Sequence, residues 1–272
     1  METLQQIAAR TGAYKPDAYL PIYQRLFEPV RFMPLTLLEL GVLQGGSVKM
    51  WEAYFPYARI AGLDLDPPEL PLSDRVRVFA GDQGDTRLLA HIAAEVAPDG
   101  FDIVIDDCAH IAKLAKASFW HLFDNHLKAG GVYCIEDWGT GYWPTWPDGG
   151  RLVVQPDSGR RMPSHDVGMV GFVKQLIDEL SAPEIREGVD APEGRASKFS
   201  EMQLYDSVCV VKKAAAELTR PVSKAASHSA ERSGPLCASR RCASSHGPGN
   251  DVRRARSSAG SAIPVSGQRP SH

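Results

Sequence analysis

The sequence predicts an α/β fold built on a doubly wound, mostly parallel sheet with helices on both faces. Three observations carry this expectation. Apolar runs of strand length alternate with stretches of helical period. The run from Leu37 to Ser47, Leu-Leu-Glu-Leu-Gly-Val-Leu-Gln-Gly-Gly-Ser, reads as a buried central strand whose exit turn is cleared of side chains by glycine. Acidic residues then recur just after successive apolar runs, at the sheet edge where doubly wound folds place their ligands.

The elements follow in order. Tyr19, Ile22, Tyr23, Leu26 and Phe27 fall at i, i+3, i+4, i+7 and i+8, an amphipathic helix within an N-terminal helical segment, 1–35. In the first strand, apolar positions flank Glu39; Gly41 permits a sharp departure, and Gly45, Gly46 and Ser47 open a helix running through Met50, Trp51 and Phe55. Strands are expected at Arg59–Leu63, Arg75–Phe79, Phe101–Ile105 and Gly131–Ile135, with helices at Thr86–Val96 and Ala112–Leu127. Beyond a Gly- and Trp-rich segment, 138–165, comes a helix, Val167–Leu180. The last apolar run, Met202–Val211, breaks at Asp206-Ser207 and forms either a hairpin or one long edge strand. The domain so outlined spans 36–213, with no internal repeat.

At 272 residues the chain is long enough for one such domain, and 43% hydrophobic against 23% charged residues suits a soluble globular enzyme. No apolar stretch is long enough to span a bilayer, and the start, Met-Glu-Thr-Leu-Gln-Gln, lacks signal-peptide regions, so a cytoplasmic protein with no membrane partner is expected. Cys108, Cys134, Cys209, Cys237 and Cys242 form no C-x-x-C pair and no even framework, and are read as reduced thiols. The net charge of −3 is divided: from Ala214 onward nine Lys or Arg face three Asp or Glu, leaving a basic tail on an acidic body. That tail, 214–272, is rich in Ser, Ala and Arg and has no aromatic residue, so disorder is expected. Its arginines are scattered rather than blocked, and no nucleic-acid partner is expected.

The glycine turn narrows the ligand. A dinucleotide-binding turn carries a second glycine two residues after the first, a position held here by Leu43. An acid two places before Gly41 suits a zwitterionic amino-acid ligand instead: Glu39 favours its ammonium, and the helix N-terminus at Gly45-Gly46-Ser47 its carboxylate. S-adenosylmethionine has that pattern of charges. Asp64 ends the second strand, where a carboxylate accepts ribose hydroxyls, and Asp82 and Gln83 follow the third, placed to address an adenine edge. Strand ends are often polar for structural reasons alone. Acids in register along three successive strand ends argue against accident.

Strand ends four and five carry the chemistry. Asp106 and Asp107 close one, followed by His110; Glu136 and Asp137 close the other. So many carboxylates repel one another unless a cation lies between them, and hard oxygen donors suit Mg2+ or Mn2+. Asp107, Glu136 and Asp137 are the expected metal ligands, with Asp106 turned inward towards the cofactor. His110 reads as a general base that takes a proton from an acceptor hydroxyl, or as a polar cap of the helix that follows. His121, His126 and His165 read as structural. Cys108 is a weak nucleophile, because acidic neighbours raise a thiol pKa. Tyr142 and Trp143 read either as a wall against which sugar C–H faces pack or as aromatic anchors of a loop.

These residues also carry a resemblance. Leu-Glu-Leu-Gly-Val-x-x-Gly-Gly-Ser, Met50-Trp51, Tyr54-Phe55-Pro56, Gly62-Leu63-Asp64, Gly81-Asp82-Gln83, Ile105-Asp106-Asp107 with His110, and Ile135-Glu136-Asp137 with Tyr142-Trp143 resemble the Mg2+-dependent sugar O-methyltransferases of macrolide biosynthesis, the mycinamicin type, from about residue 19 to 213. The resemblance implies a Rossmann-like class I methyltransferase with a seven-stranded sheet, S-adenosylmethionine as cofactor, a sugar hydroxyl as acceptor and a homo-oligomer. It places the metal carboxylates at Asp107, Glu136 and Asp137 and the base at His110. Two departures stand out: Cys108-Ala109 replaces the family's usual Gly-Ser, and Thr11-Gly12-Ala13-Tyr14-Lys15 only loosely matches its Thr-Asp-Lys segment. The expected function is metal-dependent O-methyl transfer to a sugar or other polyhydroxylated small molecule. The alternatives are methylation of a catechol-type phenol, whose adjacent hydroxyls would chelate the same cation, and a non-catalytic nucleotide-binding or regulatory protein of the same fold.

Overall fold

The computed structural model describes residues 1–152, 164–185 and 196–215. The expected disorder of the basic tail falls, from residue 216 onward, outside the described residues, as does 153–163 of the Gly- and Trp-rich segment.

The chain begins with two helices, α1 (Leu4–Thr11) and α2 (Tyr19–Phe27). Thr3 and Gln6 form a reciprocal cap on α1, each side chain accepting the other's backbone N–H, so two orphan donors of the helix start are satisfied locally. Strands and helices then follow, alternating except between β2 and β3: β1 (Thr36–Leu40), α3 (Gly46–Tyr54), β2 (Arg59–Asp64), β3 (Val76–Ala80), α4 (Thr86–Val96), β4 (Phe101–Asp106), α5 (Ala112–Asn125) and β5 (Leu127–Glu136). Helix α6 (Gly168–Leu180) and the strands β6 (Phe199–Leu204) and β7 (Val208–Lys213) complete the order.

The seven strands lie in the order β3-β2-β1-β4-β5-β7-β6. The first five are parallel; β7 runs antiparallel to β5, and β6 antiparallel to β7. The chain winds outward from β1 to β3, then returns to the other side of β1 for β4 and β5, which makes the β1/β4 boundary the switch point. Of the two readings of the last apolar run, the hairpin is realised: Asp206 and Ser207 form its turn, with Ser207 at φ 58°. At one point the helical period misleads. The helix expected to reach Leu127 stops at Asn125, because Leu127 pairs with Phe101 and already belongs to β5.

Period-two alternation sorts the strand side chains between two cores. Leu38, Leu40, Val104, Tyr133 and Ile135 face α4, α5 and α6; Leu37, Ile105, Cys134 and Val210 face α1, α2 and α3. The same parity fixes where the strand-end acids point: Glu39 and Glu136 onto the α2/α3 side, Asp106 onto the α5 side. Among the described residues no helix is long and apolar enough to cross a membrane.

Phe119, on α5, is fully buried and packs against Phe123, Tyr133, Phe172 and Phe199, joining α5, β5, α6 and β6. Phe119→Ala is expected to cost about 3–5 kcal/mol in equilibrium urea unfolding through the cavity it leaves. A loss below about 1 kcal/mol would mean that this core repacks freely.

Candidate active site

At the carboxyl edge of the sheet, across the switch point, lies a cavity of about 650 Å³, within the range of small-molecule sites. Its walls come from the turn after β1 (Gly41, Val42, Leu43, Gln44, Gly46, Ser47), from Asp64 and Leu65 after β2, from Asp107 to His110 after β4, and from Glu136 and Asp137 after β5. The segment between α1 and α2 closes it with Gly12, Tyr14 and Pro16. Leu43, His110 and Asp137 line it with φ of 48°, 49° and 51°, a backbone region that non-glycine residues rarely adopt. Such strain gathers at functional sites.

The glycine turn is tight for a visible reason. A Cβ on Gly41 would lie 2.0 Å from the Asp107 carbonyl oxygen, so only glycine lets the ends of β1 and β4 approach. One carboxylate oxygen of Asp64, Oδ2, accepts the N–H groups of both Val42 and Leu43 at 2.8 Å. That bond pair holds the turn after β1 against the end of β2, with the Asp64 carboxylate still lining the cavity.

Asp106 and Gln83 sit one layer below. Asp106 is buried, accepting from the Gln83 amide, the Ser118 hydroxyl and the Tyr133 hydroxyl at 3.0–3.1 Å. Burial raises its pKa; those three hydrogen bonds and His110 oppose the rise. Gln83 in turn accepts the Ala109 N–H at 2.9 Å, and Ala109 lines the cavity. The pair braces the loop after β4 from beneath. Asp82 turns back on its own chain, accepting the Gly84 N–H.

Asp107, His110 and Asp137 converge, each offering one donor atom within 4.8 Å of the others. His110 Nε2 lies 3.6 Å from Asp107 Oδ1 and 3.6 Å from Asp137 Oδ2. The imidazole leans on Trp146, whose indole N–H donates to the His110 carbonyl at 2.9 Å. Capping the following helix falls to another residue: Asp148 accepts the Ala112 N–H at the start of α5. The carboxylate oxygens of Asp107 and Asp137 are hard donors that fit a divalent cation such as Mg2+ or Mn2+, with the His110 imidazole beside them.

Glu136, Glu39 and Asp107 share a cation of the chain's own. Lys15 is buried, and its Nζ lies 2.6 Å from Asp107 Oδ2, 2.8 Å from Glu136 Oε1 and 3.3 Å from Glu39 Oε1. Burial alone would lower the Lys15 pKa; Glu136, Asp107 and Glu39 outweigh it and hold the ammonium charged. Tyr23 donates to Glu136 Oε1 at 2.7 Å, and Tyr19 donates to Asp137. Glu39 itself accepts from the Ser47 hydroxyl at 2.8 Å and from the Trp51 indole at 3.0 Å.

Lys15, Tyr19 and Tyr23 are the residues sequence reasoning missed. Tyr19 and Tyr23 belong to the apolar stripe of α2, and nothing in a helical period shows that their hydroxyls reach the ends of β5. Lys15 had a signal in the loose match to a Thr-Asp-Lys segment. Tyr142 and Trp143 stand outside the cavity wall: Tyr142 stacks on His165 at 4.9 Å, and Trp143 lies edge-on to Trp146. His165 is thereby part of this aromatic loop, its Nε2 2.6 Å from the Gly141 carbonyl oxygen.

No family model matches the chain. It is 34% identical to mycinamicin VI 2''-O-methyltransferase of Micromonospora griseorubida over 203 residues, covering 72% of this chain and 48% of the relative. It is likewise 34% identical to demethylmacrocin O-methyltransferase of Streptomyces fradiae, with the same coverage, and 35% identical to a tetracenomycin-C rhamnosyl 3'-O-methyltransferase of Streptomyces olivaceus, covering 77% of this chain and 53% of that one. The solved structure of the MycE methyltransferase from mycinamycin biosynthesis, in complex with Mg and SAH, superimposes with a TM-score of 0.64 at 33% identity, over 78% of this chain and 55% of that one. The chain thus spans about half the length of the curated relatives it matches. Over that span it is a relative of the macrolide-type sugar O-methyltransferases and has the Rossmann-like class I methyltransferase fold.

Proposed function

We propose that this chain is a cytoplasmic, metal-dependent O-methyltransferase that uses S-adenosylmethionine to methylate a hydroxyl of a sugar or other polyhydroxylated small molecule. The observation that carries the reading is the convergence of Asp107, His110 and Asp137 at one cavity with the glycine turn and Asp64. In support, two of its relatives are named as methylating sugars on larger natural products, and MycE was solved with Mg and SAH.

When bound, S-adenosylmethionine supplies the electrophilic methyl group and the divalent cation a charge that orients the acceptor hydroxyl and favours its deprotonated form. The chain's residues do the rest. Asp64 receives the ribose; Gly41 and Gly45 shape the turn that leads to α3, whose start, with Gly46 and Ser47 on the cavity wall, faces the amino-acid end. Asp107 and Asp137 are assigned to the cation together with Glu136, whose Oε1 already accepts from Lys15 and Tyr23. His110 Nε2, 3.6 Å from both Asp107 and Asp137, accepts the hydroxyl proton. Gln83 and Asp106 contribute by holding Ala109, and Asp82 by shaping the turn beside them. Tyr142 and Trp143, both partly exposed and the second edge-on to Trp146, offer faces for the acceptor's C–H surface.

The test is methyl transfer itself, followed by mass spectrometry of deoxysugar glycosides and catechols incubated with the full chain, S-adenosylmethionine and Mg2+. A methylated glycoside is expected, with product lost on chelation and kcat lowered about 10²–10⁴-fold in His110→Ala. Unchanged turnover in EDTA, or in His110→Ala, would overturn the metal or base assignment; exclusive catechol methylation would move the acceptor class.

Cys108 also lines the cavity but is a poor competitor for the methyl group. Burial, then Asp106, Asp64 and Asp107, pushes its thiol pKa up to about 12, so the thiolate is scarce near neutrality. Iodoacetamide at pH 8 is expected to alkylate Cys108 much more slowly than a free cysteine peptide, as read by peptide mass mapping. A rate matching the free peptide would show an accessible thiolate.

A further inference from the structure

Glu39 is the strand-one acid that the charge pattern assigns to the cofactor's ammonium, yet its carboxylate is fully buried and absent from the cavity wall. Its oxygens are met by the Ser47 hydroxyl, the Trp51 indole and the Lys15 ammonium. With the carboxylate fully buried, an amino group in the cavity does not reach Glu39 without a shift of the residues that cover it. The ammonium that Glu39 holds belongs to the chain itself.

Lys15 lies in the middle of the segment that closes the cavity. On one side Gly12 packs so closely on the start of α3 that a Cβ on Gly46 would lie 2.2 Å from the Gly12 carbonyl oxygen. On the other, Tyr19 donates to Asp137 at the end of β5. Between them, Lys15 joins β1 through Glu39, β4 through Asp107 and β5 through Glu136. Gly12, Tyr14 and Pro16 line the cavity.

We propose, resting on the methyltransferase reading, that Lys15 is a positioning residue: Glu39 acts on the cofactor through Lys15, by seating residues 12–19 as the cavity wall. Loss of Lys15 leaves three carboxylates without their shared cation, and loss of the Glu39 charge removes one of the three contacts that seat the segment, so either change loosens it. Glu39 and Lys15 then form one functional unit, and their contributions to cofactor binding do not add.

The test compares the full-length wild type with Lys15→Met, Glu39→Gln and the double variant. Amide hydrogen exchange of residues 12–19 is measured without cofactor or metal, and S-adenosylhomocysteine binding by calorimetry without Mg2+. Each single variant is expected to lose protection at 12–19 and to bind about tenfold more weakly, in the range of outer-shell substitutions, and the double variant no more weakly than the worse single. Weakened binding in Glu39→Gln with 12–19 still protected would overturn the proposal, because Glu39 would then touch the cofactor directly. Wild-type behaviour of Lys15→Met in both measurements would overturn it as well. Should Lys15→Met lose its native circular dichroism, the double variant, which removes the ammonium together with a carboxylate, decides by the same exchange readout. No binding by the wild type would fail the methyltransferase reading and leave the exchange measurement to judge Lys15.

Discussion

Carboxylates crowded along one sheet edge, and the repulsion between them, set the terms for everything around this site. Glu39, Asp64, Asp106, Asp107, Glu136 and Asp137 all lie at a strand's last residue or within one residue of it. Parallel strands deliver their termini to the same edge, so the topology that makes the crevice also concentrates the charge. Each acid is compensated differently. Asp64 accepts backbone N–H groups, Asp106 takes neutral donors from three side chains, and Glu39, Glu136 and Asp107 share the Lys15 ammonium. Asp137 and the second oxygen of Asp107 face His110.

These compensations divide the acids into supports and reagents. Where a carboxylate is buried among donors, as Asp106 and Glu39 are, desolvation raises its pKa and its work is to hold a loop or a segment in place. Where it stands at the cavity, as Asp64, Asp107 and Asp137 do, it is available to a ligand. The helices follow the same division. Helix α5 supplies Ser118 to the support under the loop after β4, whereas α2 sends two tyrosine hydroxyls to the end of β5. Strain in the backbone at His110 and Asp137 is held by the Trp146, Thr140 and Asp148 contacts that pin the loops on either side.

Much of this was legible in the sequence. Alternating periods announce the α/β sheet, and the glycines after Leu40 announce the switch-point turn, because no other residue lets Gly41 and Asp107 approach so closely. The acids and His110 are legible as a group because a parallel sheet gathers its strand ends at one edge. Parity could have carried the reading further. With Leu38 and Leu40 on one face, Glu39 must point to the other, and Asp106 must share the face of Val104. What one sequence does not encode locally is long-range partnership: Lys15 meets Glu136 across 121 positions, and Tyr23 meets the same acid across 113. A lysine in a loop and a tyrosine on an apolar stripe carry no mark of such contacts. The Leu127 boundary failed for a related reason, since strand pairing with Phe101 overrode helical period.

The most direct measurement is a calorimetric titration of S-adenosylmethionine into the wild-type chain and into Asp64→Ala, with and without Mg2+. Saturable binding by the wild type, weakened at least about tenfold in the variant, is expected if the cavity is a cofactor site organised by the carboxylate at the end of β2. Absence of binding to the wild type under both conditions would contradict that assignment and favour a non-catalytic protein that keeps the fold alone.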